Sequence, residues 1–475
     1  MTIQVSTNTI PNPEELGLTS ASDGRDAYLT GLLNQFQALD LQGIDPEIAT
    51  LFDGLRQRAT AIVQEQAIPT RRDEEWRFTD LSPLLQVTFQ AASSGKTVEL
   101  ASRQLEITPL TLPEAIDSRL VFVNGIYAPQ LSSVTGLPEG VFVGNVGVQS
   151  SAPLPPQYAA RIGNYLGQQQ GASEVFTALN TAGLTNLAVV WVSKNETIET
   201  PIHLLFISTT DEVPVISQPR CLVVAEAGSQ VSLIEHYAVD VEGCPDIPVN
   251  HPYFTNQVTE IWVEENAQVN HTRIQREAGE AFHIGKSAIA QARNSHYTCN
   301  AITLGAKLSR HNLEIFQTGE GTETILNGLT VIGAQQLADT HSAIALNHPN
   351  GTSNQLHKCI VDDRAHGVFN GKVLVPRAAQ LTNAAQLNRN LLLSPKARVD
   401  TKPQLEITAD NVKCSHGATV SQLDAEEVFY LQSRGLNEAD ARNLLLDAFV
   451  TEILNRIPVS SLRQKLSRCV ACRTF

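Results

Sequence analysis

Phe369-Asn-Gly-Lys-Val-Leu-Val-Pro376, followed by Ala379-Gln-Leu-Thr-Asn-Ala-Ala-Gln-Leu-Asn-Arg-Asn-Leu-Leu-Leu-Ser394, decides the fold class. Each is a strand-length run bounded by turn residues. No helical spacing separates them. Similar strand–turn modules begin near Ser309, Thr322, Gln336, Thr352, Gly367, Gln380 and Ala397, about every 13 to 17 positions. Between residues 300 and 410 only Phe316 and Phe369 are aromatic. Repetition of this kind predicts a solenoid, each coil stacked on the one before. A parallel β-helix fits best, because its narrow interior favours Val, Ile, Leu and Ala over rings. Asn383, Asn388 and Asn390 suit stacked amide ladders. An antiparallel sandwich is the alternative, but it expects regular hairpin signals and stronger apolar/polar alternation.

Outward from these modules the chain divides into three regions. Residues 184–409 form the expected β-helix core, with earlier strands at Leu187–Val192, Gln230–Ile234 and Val258–Val263. Residues 1–183 form a mainly helical region that begins with a polar stretch, residues 1–24. Tyr28, Leu32, Leu33 and Phe36 recur at helical spacing, as do Ile48, Phe52, Leu55, Ala59 and Val63. Short strands are expected near 119–123 and 140–146, and another helix near 173–182. Residues 410–475 form a C-terminal helical domain. Asp424 can cap one helix, Gly435 can end it, and Asn437 can start the next. Leu445, Phe449 and Ile453 lie on one face of that second helix, while Leu446, Val450 and Leu454 make another stripe. A helix apolar on two sides can both close the solenoid and meet a partner.

The 475 residues are 42% hydrophobic and 17% charged, with a net charge of −15. That balance argues against a nucleic-acid binder and against an anionic membrane surface. No apolar run approaches the ~20 residues of a membrane span. Met1 to Gly24 contains no Lys or Arg, so neither a secretory signal nor a transit peptide is expected. Seven scattered cysteines do not make a disulfide framework, and a reducing cytoplasm is the expected setting.

Chemistry-bearing motifs are few. There is no Gly-x-Ser-x-Gly elbow and no phosphate-cradling glycine loop. An energy-driven process would therefore need its ATPase on another subunit. A β-helix polysaccharide hydrolase or lyase is the alternative function. Its candidate acid pair, Asp362-Asp363, is adjacent in sequence, so a strand would send the two apart and a solvated turn is the better reading. His357 and Cys359 read as core residues. The terminal Cys469-Val-Ala-Cys472 reads as a frayed tail. Cys414 and His416 differ: two soft-metal ligand types, two residues apart, share one face of a strand where the solenoid gives way to helix.

Five stretches carry a resemblance. They are the two quoted first, Asp400-Thr-Lys-Pro-Gln-Leu-Glu-Ile407 with Asp410-Asn-Val-Lys-Cys-Ser-His-Gly-Ala-Thr419, and Glu426-Glu-Val-Phe-Tyr-Leu-Gln-Ser-Arg-Gly435. Together with Glu74-Glu-Trp-Arg-Phe-Thr-Asp-Leu-Ser-Pro-Leu-Leu85 they resemble the SufB/SufD family of iron–sulfur cluster assembly, densely over about residues 300–457. Ser415 and Gly417, where the SufB motif is acidic, make the chain more similar to SufD. The resemblance implies a right-handed parallel β-helix with flanking helical domains. It implies a non-ATPase scaffold subunit that pairs with a SufB-like subunit through the β-helix. It implies docking of a SufC-like ATPase through C-terminal helices, for which Phe429, Leu445, Phe449 and Ile453 are the candidate contacts. It also places a transient iron–sulfur cluster or iron at the SufB contact, with His416 as ligand or proton-handling residue and Cys414 secondary. A flavin on the complex is a further cofactor this reading admits. Without SufB, the solenoid could self-pair as a homodimer.

Overall fold

A computed structural model describes residues 21–92, 105–209, 213–240 and 251–474. The polar stretch up to residue 20 lies outside the described residues. The chain builds a parallel β-solenoid of about seven turns from two facing sheets. Sheet two begins with β1 (Ser118–Val123) and sheet one with β2 (Val141–Gly147). Apart from two- and three-residue strands at the sheet margins, the remaining strands of sheet one are β3 (Asn186–Val192), β5 (Arg220–Ala225), β7 (Phe254–Val263), β9 (Phe282–Gln291), β11 (Leu308–Gln317), β13 (Leu337–Ala345), β15 (His366–Val375) and β17 (Arg398–Ile407). Those of sheet two are β4 (Ile202–Ser208), β6 (Gln230–Val239), β8 (Gln268–Arg276), β10 (His296–Thr303), β12 (Glu323–Ile332), β14 (Thr352–Val361), β16 (Asn383–Leu392) and β18 (Lys413–Ser421). Each coil is one odd and one even strand, so two sequence modules make one turn of the solenoid. From β3 onward every neighbouring pair along either sheet is parallel, which rules out the sandwich.

The turns explain why the chain coils. The turn after each odd strand from β3 to β15 carries a residue in the left-handed region: Asn195, Gly228, Asn266, Asn294, Gly321, Asn350 and Leu381. Gly and Asn enter that region at little strain, but a leucine does not. Leu381 (φ 62°) is also 58% exposed. Leu381→Asn should therefore raise the unfolding free energy by about 1 kcal/mol. A urea titration reads this, and an unchanged midpoint would argue against strain at this turn.

Helices cover the outer faces. α1 (Ala21–Gln37) and α3 (Val175–Ala182) join Trp76 in a cluster on Phe254, Phe282 and Leu308 of sheet one, alongside α2 (Pro46–Glu65). α5 (Glu438–Leu454) lays Leu446, Val450 and Ile453 on Leu329, Leu356 and Leu391 of sheet two, following α4 (Ala425–Ser433). The C-terminus is not frayed: α6 (Ser460–Thr474) buries Leu462, Leu466 and Val470 in the same cluster. The apolar spacing of those three residues outweighs the polar composition around them. Strands β1 and β2 draw the N-terminal region into the solenoid, and β18 carries the last coil to Ser421, beyond residue 409. The amide ladder lies away from Asn383: Asn327 donates to Asn300 on the adjacent coil (2.8 Å), while Asn390 donates to Asn388 within one strand (2.5 Å).

Candidate functional site

The last coil is open. β17 bonds to β15 and β18 to β16, and among the described residues neither has a strand on its other side. Two parallel edges thus present unpaired backbone groups, an arrangement that invites pairing with another chain. Ile407 and Val420, one on each edge strand, are exposed.

β18 brings Cys414 and His416 to this mouth. The register sets Cys414 beside Ala384 and His416 beside Gln386. Gln386 faces the lumen: its amide donates to Gln355 (2.8 Å), which donates across the lumen to Ser342 of sheet one (2.8 Å). Cys414 and His416 therefore continue the lumen face of sheet two into the open coil. Cys414 is half-buried and packs against the aliphatic core, and burial pushes its thiol up from the ordinary value. A bound metal or a nearby cation would stabilise its thiolate and pull that pKa back down. His416 is exposed, and among the described residues no side-chain hydrogen bond or ion pair holds it. Among the described residues, no three His, Cys, Asp or Glu side chains gather as a metal-ligand set. The pair lies on the last coil, where among the described residues no further strand covers it.

The other sequence candidates separate. Phe429 is 71% exposed on α4. Leu445 lines an open groove of about 460 Å³ between α4 and α5, with Tyr430, Leu431, Leu444 and Ala448 on its walls and Glu426 and Glu427 on its rim. Phe449 is half-buried; its ring meets the Lys358 ammonium at 4.4 Å, and its carbonyl accepts from the same group at 2.7 Å. Ile453 is fully buried between α5, α6 and sheet two, so it anchors the helix and offers no surface to a partner. Tyr430 and Leu444 take its place on the exposed face, which the apolar spacing of the helix alone does not distinguish.

Asp362 and Asp363 sit in the turn after β14. Asp363 has a positive φ, and its carboxylate accepts from the backbone N–H of Ala334 (2.9 Å). They are turn-forming groups. His357 stacks on Phe369 (4.9 Å between centroids), and burial lowers its pKa to about 4. Burial raises the Cys359 thiol to about 12. Neither group is poised for chemistry.

Comparison with known proteins agrees with this geometry. Residues 206–449 match the family model described as "SUF system FeS cluster assembly, SufBD core domain", and residues 31–204 match "SufBD protein N-terminal region". The chain belongs to the SufB/SufD family. Within it, the chain is SufD-like. It is 53% identical to an iron–sulfur cluster assembly SufBD family protein of Synechocystis, over 88% of this chain and 90% of the relative. It is 35% identical to protein ABCI7 (chloroplastic) of Arabidopsis thaliana, over 84% of this chain and 81% of the relative. It is 31% identical to the iron–sulfur cluster assembly protein SufD of Escherichia coli K12, over 84% and 88%. This SufD-like chain thus works in iron–sulfur cluster assembly by the SUF system. Among its described residues, no helix is long and apolar enough to cross a membrane.

Proposed function

We propose that the chain is the SufD-like, non-ATPase subunit of a scaffold shared with a SufB-like subunit and a SufC-like ATPase. The observation that carries this reading is the open coil: two unpaired edges beside an incomplete ligand pair. An uncovered solenoid end is an aggregation liability for a lone chain, and a second solenoid stacked edge to edge removes it. The same stacking would bring ligands from the partner to Cys414 and His416. Soft thiolate and imidazole donors suit iron, and a cluster wants about four of them. The cluster or iron is cargo assembled at this contact. Without SufB, the same edges would self-pair in a homodimer.

The groove between α4 and α5 suits the ATPase. Its apolar walls and acidic rim match a partner that offers an apolar anchor ringed by basic side chains. Leu444→Asp with Leu445→Asp should cut co-purification of the SufC-like ATPase to a tenth or less, since each places a charge against an apolar anchor at about 2 kcal/mol. The SufB-like subunit should still co-purify, because no residue of the edge strands β17 and β18 lines the groove. Retained ATPase with both substitutions would remove the groove from the reading. Failure of the SufB-like subunit to bind the unaltered chain would overturn the reading as a whole.

A further inference from the structure

Residues Arg71–Asp80 lie outside the helix groove and reach the open coil through the ion pair of Glu74 with Lys402 of β17. The segment crosses the outer face of sheet one and is fastened there. The Arg310 guanidinium lies 3.9 Å from the centre of the Trp76 ring. Thr79 and Arg310 both donate to the buried Asp339 carboxylate. Glu75 meets His341 at 3.2 Å, and Glu74 meets Lys402 at 2.6 Å. His341, Asn370 and Lys402 stand in one row across β13, β15 and β17, so the segment clamps onto a line of polar groups set by strand register.

Two cavities, of about 330 and 310 Å³, lie on either side of Glu75, and both reach His341 and Asn370. They differ in charge. In the first, each cation has an acid: Lys286 with Glu314 (2.9 Å), Arg310 with Asp339, and Lys372 with Glu406 (2.7 Å). The second is lined by Arg71, Arg72 and Arg77, and among the described residues none of the three forms an ion pair. Arg71 Nε donates instead to the Arg77 carbonyl (3.4 Å), and Arg77 lies over the Phe78 ring (5.8 Å). The acids on this cavity's wall are already engaged, Glu74 by Lys402 and Glu75 by His341 and Asn370 (3.5 Å). Exposed arginines are commonly just solvated. Here three converge on one cavity, with Phe78 and Val368 beside them, in a chain of net charge −15. That is the anatomy of a small-molecule site: an apolar wall, a few convergent polar groups, and a local potential opposite to the rest of the surface.

We propose that this second cavity binds a small multivalent anion, a phosphate ester or a di- or tricarboxylate, through Arg71, Arg72 and Arg77. The guanidinium fork matches either acid group with paired hydrogen bonds. Phe78 and Val368 flank the ligand's body, and the Glu75 carboxylate forms the inner wall and limits affinity by repulsion. Among the residues that line it, only Lys402 belongs to the open coil, on β17.

Calorimetric titration of the full chain with pyrophosphate and, separately, with citrate tests the site. At least one should bind with a dissociation constant of about 1 mM or tighter. Preference for pyrophosphate identifies a phosphate ester, and preference for citrate a carboxylate. Arg72→Ala and Arg77→Ala should each weaken binding about tenfold, the scale of one charge-assisted hydrogen bond. Glu75→Gln keeps an acceptor for His341 but removes the charge, and should tighten binding severalfold. All three side chains substituted are exposed, and a thermal melt confirms that each variant is folded. The proposal is overturned if neither anion binds the unaltered chain, or if the arginine variants keep its affinity. Unchanged affinity in Glu75→Gln removes the ligand from this cavity and overturns it equally. So does a basic patch that binds only an acidic partner protein.

Discussion

Glu235→Ala is expected to destabilise the solenoid by about 3–5 kcal/mol. The Glu235 carboxylate is fully buried in the lumen, where Tyr237, Thr259 and His271 converge on it. Thr259 Oγ1 donates to it across the lumen from sheet one (3.0 Å), and His271 Nε2 lies at 3.0 Å. The other imidazole nitrogen meets the Tyr297 hydroxyl at 2.9 Å. Burial alone would lower the His271 pKa, but the Cys299 thiol and the Glu235 carboxylate beside it outweigh burial and raise it to about 9. In the unfolded chain it returns to about 6.5. The imidazolium therefore contributes stability that is complete below about pH 6.5 and is lost as pH rises toward about 9. Burial would raise the Glu235 pKa, but His271 and its other donors hold it low, so its contribution runs the other way, present above about pH 4.5 and lost in acid. Removing Glu235 leaves a buried cation without its counter-charge. The difference in unfolding free energy between the two proteins should be largest near pH 6 and should narrow as His271 loses its proton. Urea titrations at about pH 6 and about pH 9.5 measure it, and a pH-independent difference would refute the ion pair.

This lumen chemistry was not legible in the sequence, and the reason is physical. In an isolated strand, Glu235 and His271 are ordinary polar positions. Whether they face water or the lumen depends on the register of β6 against β8, and a slip of one residue reverses every side chain. The partner Thr259 comes from the opposite sheet. The coil modules, by contrast, are local: strand length, turn residue and the shortage of rings can be read a few residues at a time. Hence the solenoid, the caps at Asp424 and Asn437, and the helical spacing of α2 and α5 were all readable. Cys414 and His416 were readable for the same reason, since a two-residue spacing on a strand fixes a shared face. Ile453 misled because a helix stripe says which residues are apolar but not what covers them. α6, with Leu462 and Leu466 spaced one turn apart in a polar context, supplies the cover. The Glu74–Thr79 motif stood out as a family signature, but its clamp on Asp339 and His341 joins residues more than 250 positions apart.

His416→Ala should lower the yield of cluster on the reconstituted scaffold at least about tenfold, while the complex itself stays intact. Loss of even an outer partner of a metal site has effects of about 10–100-fold, and His416 is proposed as a direct ligand or proton carrier. The substitution is informative because the side chain does so little else. It is exposed, and among the described residues it has no intramolecular partner, so its removal leaves no buried group unsatisfied and no cavity. A stability change beyond about 0.5 kcal/mol is not expected. Cys414→Ser is the useful contrast. Its thiol packs against the core, so that change should lower stability as well as yield, and only the part of the loss in excess of unfolding is chemical. If His416 is the principal group, His416→Ala loses more yield per unit of lost stability than Cys414→Ser does. Undiminished yield from His416→Ala, with the SufB-like and SufC-like subunits still bound, would remove the histidine from the site and leave the open coil as a purely structural contact.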